Sequence, residues 1–586
     1  MEHNMILSAS GWRKVFAVSQ NEQDKSPQIS ENDVKIAVTA ANVFFDYLCE
    51  QTGQQMPVIA LGIDARPTGP AIADAMIHAL VKKGAVIQYS AVTSAPEIMA
   101  YARKLDGFIY ISASHNPVGH NGIKFGLNDG GVLNAQENAK LVKKFTNCLN
   151  NEDKLNADFT AAYSVPSSEI KKVYDVSESS KHNSLYAYKN FLNETITAEN
   201  DKNLQNNFFT MLDNAITERK IGVVCDFNGS SRKCCVDKEY FNEHKINFYS
   251  INEKEIVHEI IPEAENLVFV AAEMERLQKE GHKEVVLGYM PDCDGDRGNI
   301  VYWNEKTQKA EILKAQQVFS LSVLAELTYS IWQNRNKDVK HAVAVNCPTS
   351  MRIEKIASYL GAKVFRAEVG EANVVNLARE KRAEGYNVRI LGEGSNGGTI
   401  TYPSAVRDPI NTIFAIIKLL CMRDKGLFEL WCKKCNIPYN PDFTLSDVLD
   451  TIPKYTTTGV SEPRAILHVK SSNHAELKKH FQSVFESQWK NKSNELQQKF
   501  GIYDWECVIT NGTKETRNVT NFSLSGKGGL KIIFKNQDKQ DIAFIWMRGS
   551  GTEPVFRIMC DVEGDNPQME KELLEWETQM IQQSDF

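Results

Sequence analysis

The stretch VIALGIDARPTGPAIADAMIHALVKKGAVIQYSAVTSAPEIMAYARKLDGFIYISAS, residues 58–114, sets the architecture of the chain. Val58 to Asp64 reads as an apolar strand, and Gly69 to Lys83 as a helix with Ile72, Met76 and Leu80 on one face and Gly84 as its stop. Ala85 to Tyr89 gives a second strand, Thr93 to Leu105 a second helix and Phe108 to Ala113 a third strand. This βαβαβ order implies a largely parallel sheet with helices packed on it. The third strand runs into Ser114 within GFIYISASHNPVGHNGIKFGLNDGGVL, Gly107 to Leu133. A strand that ends in small polar residues, with Pro117 fixing the backbone just beyond, delivers a side chain to a rigid position, as a covalent nucleophile requires. Ordinary strand-to-loop junctions share that pattern, so the rest of the chain has to decide.

The same order of elements recurs twice. Strands at Gly222 to Cys225 and Asn247 to Ile251 precede a helix carrying Val270, Met274 and Leu277, and the apolar strand Glu284 to Met290 then ends in PDCDGDRGN. A third round starts with strand His341 to Asn346, passes through a helix carrying Ile353, Ile356 and Leu360, and reaches strand Asn387 to Leu391, which ends in GEGSNGG. Three α/β units, each closing in a polar glycine-containing loop, read as a diverged triplication, and ligands of open α/β sheets bind beyond the carboxyl ends of strands. The three loops are expected to face one cleft. Strands at Ala465 to Lys470, Leu530 to Lys535 and Ala543 to Met547, with helices near His474 to Trp489 and Met569 to Gln582, make the last part a smaller α+β domain. The polar segments Asn151 to Ser184 and Glu199 to Asn207 lack periodicity and read as linkers or surface excursions, and a polar region around Pro438 to Thr458 precedes the last domain.

A chain of 586 residues accommodates about four domains at roughly 150 residues each. With 42% hydrophobic and 24% charged residues it is neither disordered nor fibrous. A net charge of −7 gives no basic excess for nucleic acid or anionic membrane. The N-terminus MEHNMILSASGWRKVF lacks the basic start and apolar run of a signal peptide, so cytoplasmic residence is the expectation. The twelve cysteines do not form a disulfide framework, and Cys432 and Cys435, a CxxC with no second pair, read as incidental thiols.

Asp292, Asp294 and Asp296 alternate directly after an apolar strand. Three carboxylates this close repel one another, and a hard divalent cation with oxygen ligands neutralises them most cheaply. An EF-hand is excluded, because Arg297 stands at the sixth position of the loop and Trp303 at the twelfth. A cation with Arg297 beside it suits a phosphoryl group. RGSGTEPVFR, Arg548 to Arg557, joins two arginines to small residues whose N–H groups can surround an anion. Glu393 and Ser395 of GEGSNGG can bind hydroxyl groups.

SASHNP, DCDGDR, GEGS and RGSGTEP, in this order and spacing, resemble the four signature loops of the α-D-phosphohexomutase family, and SASGWR at Ser8 to Arg13 is similar to its N-terminal TSGxR. The resemblance implies three related α/β domains with mixed sheets (residues 1–190, 191–310 and 311–440) and a C-terminal α+β domain (441–586) around a central active-site cleft. It also implies reversible phosphoryl transfer between hexose 1-phosphate and hexose 6-phosphate through a phosphoserine and a hexose 1,6-bisphosphate intermediate. The implied roles are Ser114 as phosphoserine, with Ser114, Asp292, Asp294 and Asp296 holding Mg²⁺. Among the catalytic residues, Lys124 and Arg13 assist proton transfer and His115 is the histidine beside the nucleophile, and Arg297, Glu393, Ser395, Arg407, Arg548, Ser550, Gly551, Thr552 and Arg557 contact the substrate. The loop FRAEVGEAN, Phe365 to Asn373, has Ala372 where the family pattern has lysine. GIKFGLNDGG is similar to glucose-specific members, which ranks glucose ahead of mannose and glucosamine. A sugar-phosphate phosphatase and a non-catalytic binding protein are the rival readings. The implied partner is a phosphorylated hexose, without nucleic acid or membrane, for a monomer or weak homo-oligomer.

Overall fold

The computed structural model describes residues 4–395, 398–549 and 555–586. It divides into two compact units, residues 1–314 with 398–422, and residues 315–397 with 423–586.

Unit 1 contains two sheets of the same plan. In the first, strand Val58–Ile63 is central, with parallel Val86–Val92 on one side and parallel Gly107–Ile111 on the other. Antiparallel His120–Leu127 and Gly11–Val15 extend it beyond Gly107–Ile111. In the second, Gly222–Asp226 lies between parallel Asn247–Ile251 and Val285–Pro291, and antiparallel Gly298–Asn304 follows. The third strand of each set therefore leads into a chemical loop: Gly107–Ile111 to Ser114, and Val285–Pro291 to the acidic triplet. Unit 2 repeats the three-strand set, with Lys340–Asn346 between parallel Lys363–Ala367 and Tyr386–Gly392, the last leading to Glu393. Its other sheet is antiparallel, with Tyr455–Thr457, Val555–Glu563, Asp541–Gly549, Gly529–Lys535, Asp504–Asn511 and Lys514–Arg517 in spatial order. The architecture is the multi-domain α/β and α+β arrangement expected from the sequence.

Local chemistry sets the element ends. Helix Glu31–Thr52 starts where the Ser30 side chain accepts from the Asp33 N–H, and helix Ala95–Ala102 starts with a Ser94–Glu97 capping box. Helix Gly69–Lys83 stops at Gly84, whose φ of 89° is left-handed.

The expectation of linkers or surface excursions at residues 151–184 and 199–207 is corrected. This region forms helices Glu152–Tyr163, Ser167–Asp175, Ser177–Thr197 and the start of Lys202–Arg219. The reason is legible in the buried face of Ser177–Thr197, where Ser180, Ser184, Tyr188, Leu192 and Ile196 recur every four residues. Three of these five, Ser180, Ser184 and Tyr188, carry hydroxyls, and the stripe escapes a hydrophobic period. The Ser184 hydroxyl donates to Glu97 at 2.6 Å, Lys181 pairs with the same buried carboxylate at 2.7 Å, and Tyr188 donates to Asp408 at 2.7 Å. The polar region Pro438 to Thr458 holds a capped helix, Leu445–Thr451, and the edge strand Tyr455–Thr457.

Helix Pro409–Cys421 is buried along its whole length within unit 1. Phe414 packs on Phe241 at 5.8 Å and Tyr240 at 5.5 Å between ring centroids. Among the described residues no helix is long and apolar enough to cross a membrane. Truncating Phe414 to alanine should cost about 3–5 kcal/mol, read as an earlier urea unfolding transition of unit 1; an unshifted transition would contradict the core position of this helix.

Candidate active site

Ser114 has φ of 54°, a left-handed conformation that disfavours every residue with a Cβ and persists only where neighbours enforce it. Two enforcers are visible. The Ser112 hydroxyl accepts the Ser114 N–H at 2.9 Å and itself donates to Asp294 at 3.1 Å. Arg66, 1% exposed, is ion-paired with Asp64 and donates to the carbonyls of Ser114, at 2.8 Å, and Asn116. Asp64 follows the central strand, so the clamp ties that strand's end to the serine loop. Sequence reading passed over Arg66, although ARP directly after an apolar strand was available as a signal.

In the acidic loop, Gly295 has φ of 73° and its carbonyl accepts from Arg232 at 3.0 Å. A Cβ there would stand 2.4 Å from the Arg232 side chain, so this turn requires glycine. Arg232 is fully buried and pairs with Asp237 at 2.8 Å. It also donates to the hydroxyl of Tyr188 at 3.1 Å. Cys293 is buried in a small apolar cluster with Val118 and Ile260.

With the turn fixed, Asp292, Asp294 and Asp296 converge, all buried, with one oxygen of each within 4.8 Å of the others. Ser114 Oγ donates to Asp292 Oδ2 at 2.8 Å. Lys124 Nζ pairs with Asp294 Oδ2 at 2.6 Å, and Arg407 with Asp296 Oδ2 at 2.9 Å. The Oδ1 atoms of Asp294 and Asp296 are buried without a hydrogen-bond partner. An all-oxygen donor set with two orphaned carboxylate oxygens fits a hard divalent cation such as Mg²⁺.

The electrostatics separate these groups. Burial, reinforced by Asp294 and Asp296, pushes Asp292 up to about 8. Burial also opposes ionisation of Asp294, yet Lys124 overrides it and holds that carboxyl below the usual range. Lys124 meets the mirror-image balance: burial works to lower its pKa, and Asp294 raises it, keeping the ammonium charged. The charge of Arg297 first, then burial and the charges of Arg13 and Arg407, lower His115 to about 2, so its imidazole is neutral. His115 Nδ1 lies 3.5 Å from Ser114 Oγ. Arg13 is delivered by strand pairing, Trp12 opposite Ile123 and Arg13 opposite Gly122, two residues from Lys124. The Arg297 N–H donates to Asp292 Oδ1 at 3.2 Å, with the guanidinium 3.8 Å from Oδ2.

Unit 1 thus gathers Ser114, His115, Lys124, Arg13, Arg297, Arg407 and the three aspartates. Unit 2 holds the others. Glu393 accepts from Asn346 at 2.9 Å and from the Gly370 N–H at 2.7 Å, and the Thr349 hydroxyl accepts the Gly394 N–H at 3.0 Å beside buried Ser395. Arg548 pairs with Glu368 at 3.1 Å, a carboxylate that also accepts the Gly529 N–H at 2.5 Å. Glu368 and Gly370 belong to AEVG, so this segment, read from sequence only for its missing lysine at Ala372, holds both Glu393 and Arg548. Arg557 is exposed, opposite Arg548 in the strand register, and donates to the Val460 carbonyl at 2.9 Å. Ser550, Gly551 and Thr552 lie outside the described residues.

Residues 7–152 match the family model for the phosphoglucomutase/phosphomannomutase alpha/beta/alpha domain I, and residues 322–435 match that for domain III. A phosphoglucomutase/phosphomannomutase of Thermococcus kodakarensis is 22% identical over 538 residues, covering 89% of each chain. A phosphoglucosamine mutase of Thermodesulfovibrio yellowstonii is 24% identical over 541 residues, covering 90% of this chain and 91% of the relative. Among solved structures, a phosphoglucomutase/phosphomannomutase family protein of Burkholderia thailandensis shares the fold with a TM-score of 0.61 at 14% identity, covering 99% of this chain and 97% of that one. The open form of the Paramecium phosphoglucomutase parafusin also gives 0.61, at 16% identity and 99% and 95% coverage.

Calorimetric titration with Mg²⁺ should show one site, and Asp294→Asn should weaken it by about 10–100-fold, the range seen when a metal site loses a supporting group. Equal affinity in the variant would remove the acidic loop as the metal site.

Proposed function

We propose that this chain, whose residues 7–152 and 322–435 match the phosphoglucomutase/phosphomannomutase domain models, is a phosphotransferase isomerase of that family and interconverts hexose 1-phosphate and hexose 6-phosphate, with glucose the preferred hexose, through a phosphoserine at Ser114. The observation that carries this reading is the enforced left-handed Ser114, with Oγ 2.8 Å from a buried carboxylate triad. A cation bound by Ser114, Asp292, Asp294 and Asp296 would supply positive charge to the phosphoryl oxygens, and Mg²⁺ suits that donor set.

In the forward half-reaction the bond between Ser114 Oγ and phosphorus breaks, and a new bond forms between phosphorus and the O6 hydroxyl of hexose 1-phosphate. The product is a 1,6-bisphosphate, which reorients and returns its C1 phosphoryl group to Ser114. Charge spreads over the equatorial oxygens of the transition state, so the protein contributes mainly position and positive charge. Arg297, Arg13 and the ammonium of Lys124 provide the charge. Because Asp294 keeps Lys124 protonated, it acts as a cation and not as a base. The departing Ser114 Oγ needs a proton and the attacking hydroxyl must lose one. The proton lost by the attacking hydroxyl is the one the serine oxygen takes up, and neutral His115, its Nδ1 3.5 Å from Oγ, is assigned to hydrogen-bond that oxygen and not to store the proton. Glu393 and Ser395 contact the sugar hydroxyls. Arg548, paired with Glu368, is assigned to the phosphate that does not react, Ser550, Gly551, Thr552 and Arg557 are assigned to the same phosphate by the family resemblance, and Arg407 braces Asp296 and is assigned a phosphate or sugar contact.

The similarity of GIKFGLNDGG to glucose-specific members supports glucose first. Glucosamine phosphate is the second reading, favoured by a phosphoglucosamine mutase relative aligned over nine-tenths of the chain. Mannose phosphate is the third. A parallel assay of the three 1-phosphates should give the highest kcat/KM with glucose, without stoichiometric phosphate release. Ser114→Ala should abolish turnover and remove the phosphoryl mass from the intact protein. Release of inorganic phosphate at the rate of substrate loss would identify a phosphatase instead, and an active Ser114→Ala enzyme would exclude the phosphoserine route.

A further inference from the structure

A cavity of about 660 Å³ lies wholly within unit 2, and none of the residues assigned to the reaction lines it. This size accommodates a small metabolite. One wall is helix Arg352–Tyr359, and the opposite one is the face of the antiparallel sheet on which Lys531, Ile533 and Lys535 alternate.

Its charge is unusual for a chain with a net charge of −7: six lysines and arginines line it against four carboxylates. Most of these cations are already engaged. Arg366 forms a two-bond ion pair with Glu354, at 2.7 and 2.8 Å, and also donates to four backbone carbonyls. Arg517 and Lys535 share Glu506 and Asp541, and Lys355 pairs with Glu563 at 2.9 Å. Lys531 and Lys539 are left over: among the described residues neither ammonium has a hydrogen bond or an ion pair. Lys539 is exposed. Lys531 is 3% exposed, and its Nζ stands 4.1 Å from the centroid of the Phe544 ring.

An aromatic face attracts an ammonium but accepts none of its three N–H bonds. Burying a charge without a hydrogen-bonding counter-charge is costly. The cost is visible as a pKa lowered to about 8, by burial first and then by Arg366. A ligand bringing negative oxygens into the cavity would remove it, and with Lys355 already neutralised by Glu563 outside the lining, the cavity keeps an excess of one positive charge for an anion. Lysine binds phosphate as a point charge.

We propose that this cavity is a second binding site, for a phosphate group presented as free phosphate or as a phosphate monoester, with Lys531 as its buried ligand and Lys539 as the outer cation.

The test is calorimetric titration of the full-length Arg548→Ala enzyme, in which the phosphate loop of the reaction centre is disabled, with inorganic phosphate and separately with hexose 6-phosphate. One site should remain, and adding Lys531→Met should weaken it at least tenfold. Tighter binding of hexose 6-phosphate than of phosphate would identify the ligand as a phosphate monoester, and the reverse order would identify free phosphate. Isotherms unchanged by Lys531→Met, or no binding in the Arg548→Ala background, would overturn the proposal. Lys539→Glu, at an exposed position, guards against a folding failure of the first variant; it should weaken binding severalfold, and an unchanged affinity would again overturn the site. The wild-type isotherm should show one site more than Arg548→Ala, so failure of the reaction-centre assignment would be read separately.

Discussion

Three carboxylates buried within 4.8 Å of one another impose the constraint on which unit 1 depends. Two unit charges at 5 Å interact by about 3 kcal/mol at an effective dielectric constant of about 20, so the loop is stable only with compensating cations or a proton. The structure supplies both. Lys124 and Arg407 each hold one carboxylate, while burial and its two acidic neighbours raise the pKa of Asp292, favouring its protonated form, and Asp292 accepts from Ser114. The cations come from the serine sheet and from the 398–422 segment, so the constraint joins three parts of unit 1 at one point. Lys418, buried in the apolar helix that follows, donates to the Ile196 carbonyl at 3.0 Å and secures that segment.

Repetition of one sheet plan provides the scaffold. A central strand, a parallel neighbour on each side and a loop after the third strand occur in both sheets of unit 1 and again in unit 2. The loops have diverged to a strained serine, an acidic turn and a glutamate. Each has its own support, in Arg66, Arg232 and the AEVG segment respectively. Function therefore resides in the loops and their braces, and the shared sheets set only where the loops start.

What was legible from sequence follows from range. Strands such as Val58 to Asp64 announce themselves locally, and the chemical loops carry short dense motifs, so Ser114 and the three aspartates were readable together with the fold. The braces were not. Arg66, Arg232 and Glu368 act on residues 48, 63 and 180 positions away, through carbonyls or a single ion pair, and a long-range polar contact leaves no period in the sequence. The helices of 151–207 escaped for a related reason: serine and tyrosine on the buried face of Ser177–Thr197 bond to Glu97 and Asp408, which only the folded chain brings near. The protonation of Lys124 was equally hidden, because it depends on a 2.6 Å contact with Asp294.

The central claim is that Ser114 passes a phosphoryl group to a sugar hydroxyl while water is kept from it. Its most direct test is a single turnover with enzyme carrying ³²P on Ser114, mixed with excess unlabelled hexose 1-phosphate and quenched within the turnover time. The account requires label to leave the protein as hexose bisphosphate and hexose 6-phosphate, with little inorganic phosphate. Label leaving chiefly as inorganic phosphate, or staying on the protein while substrate turns over, would contradict it.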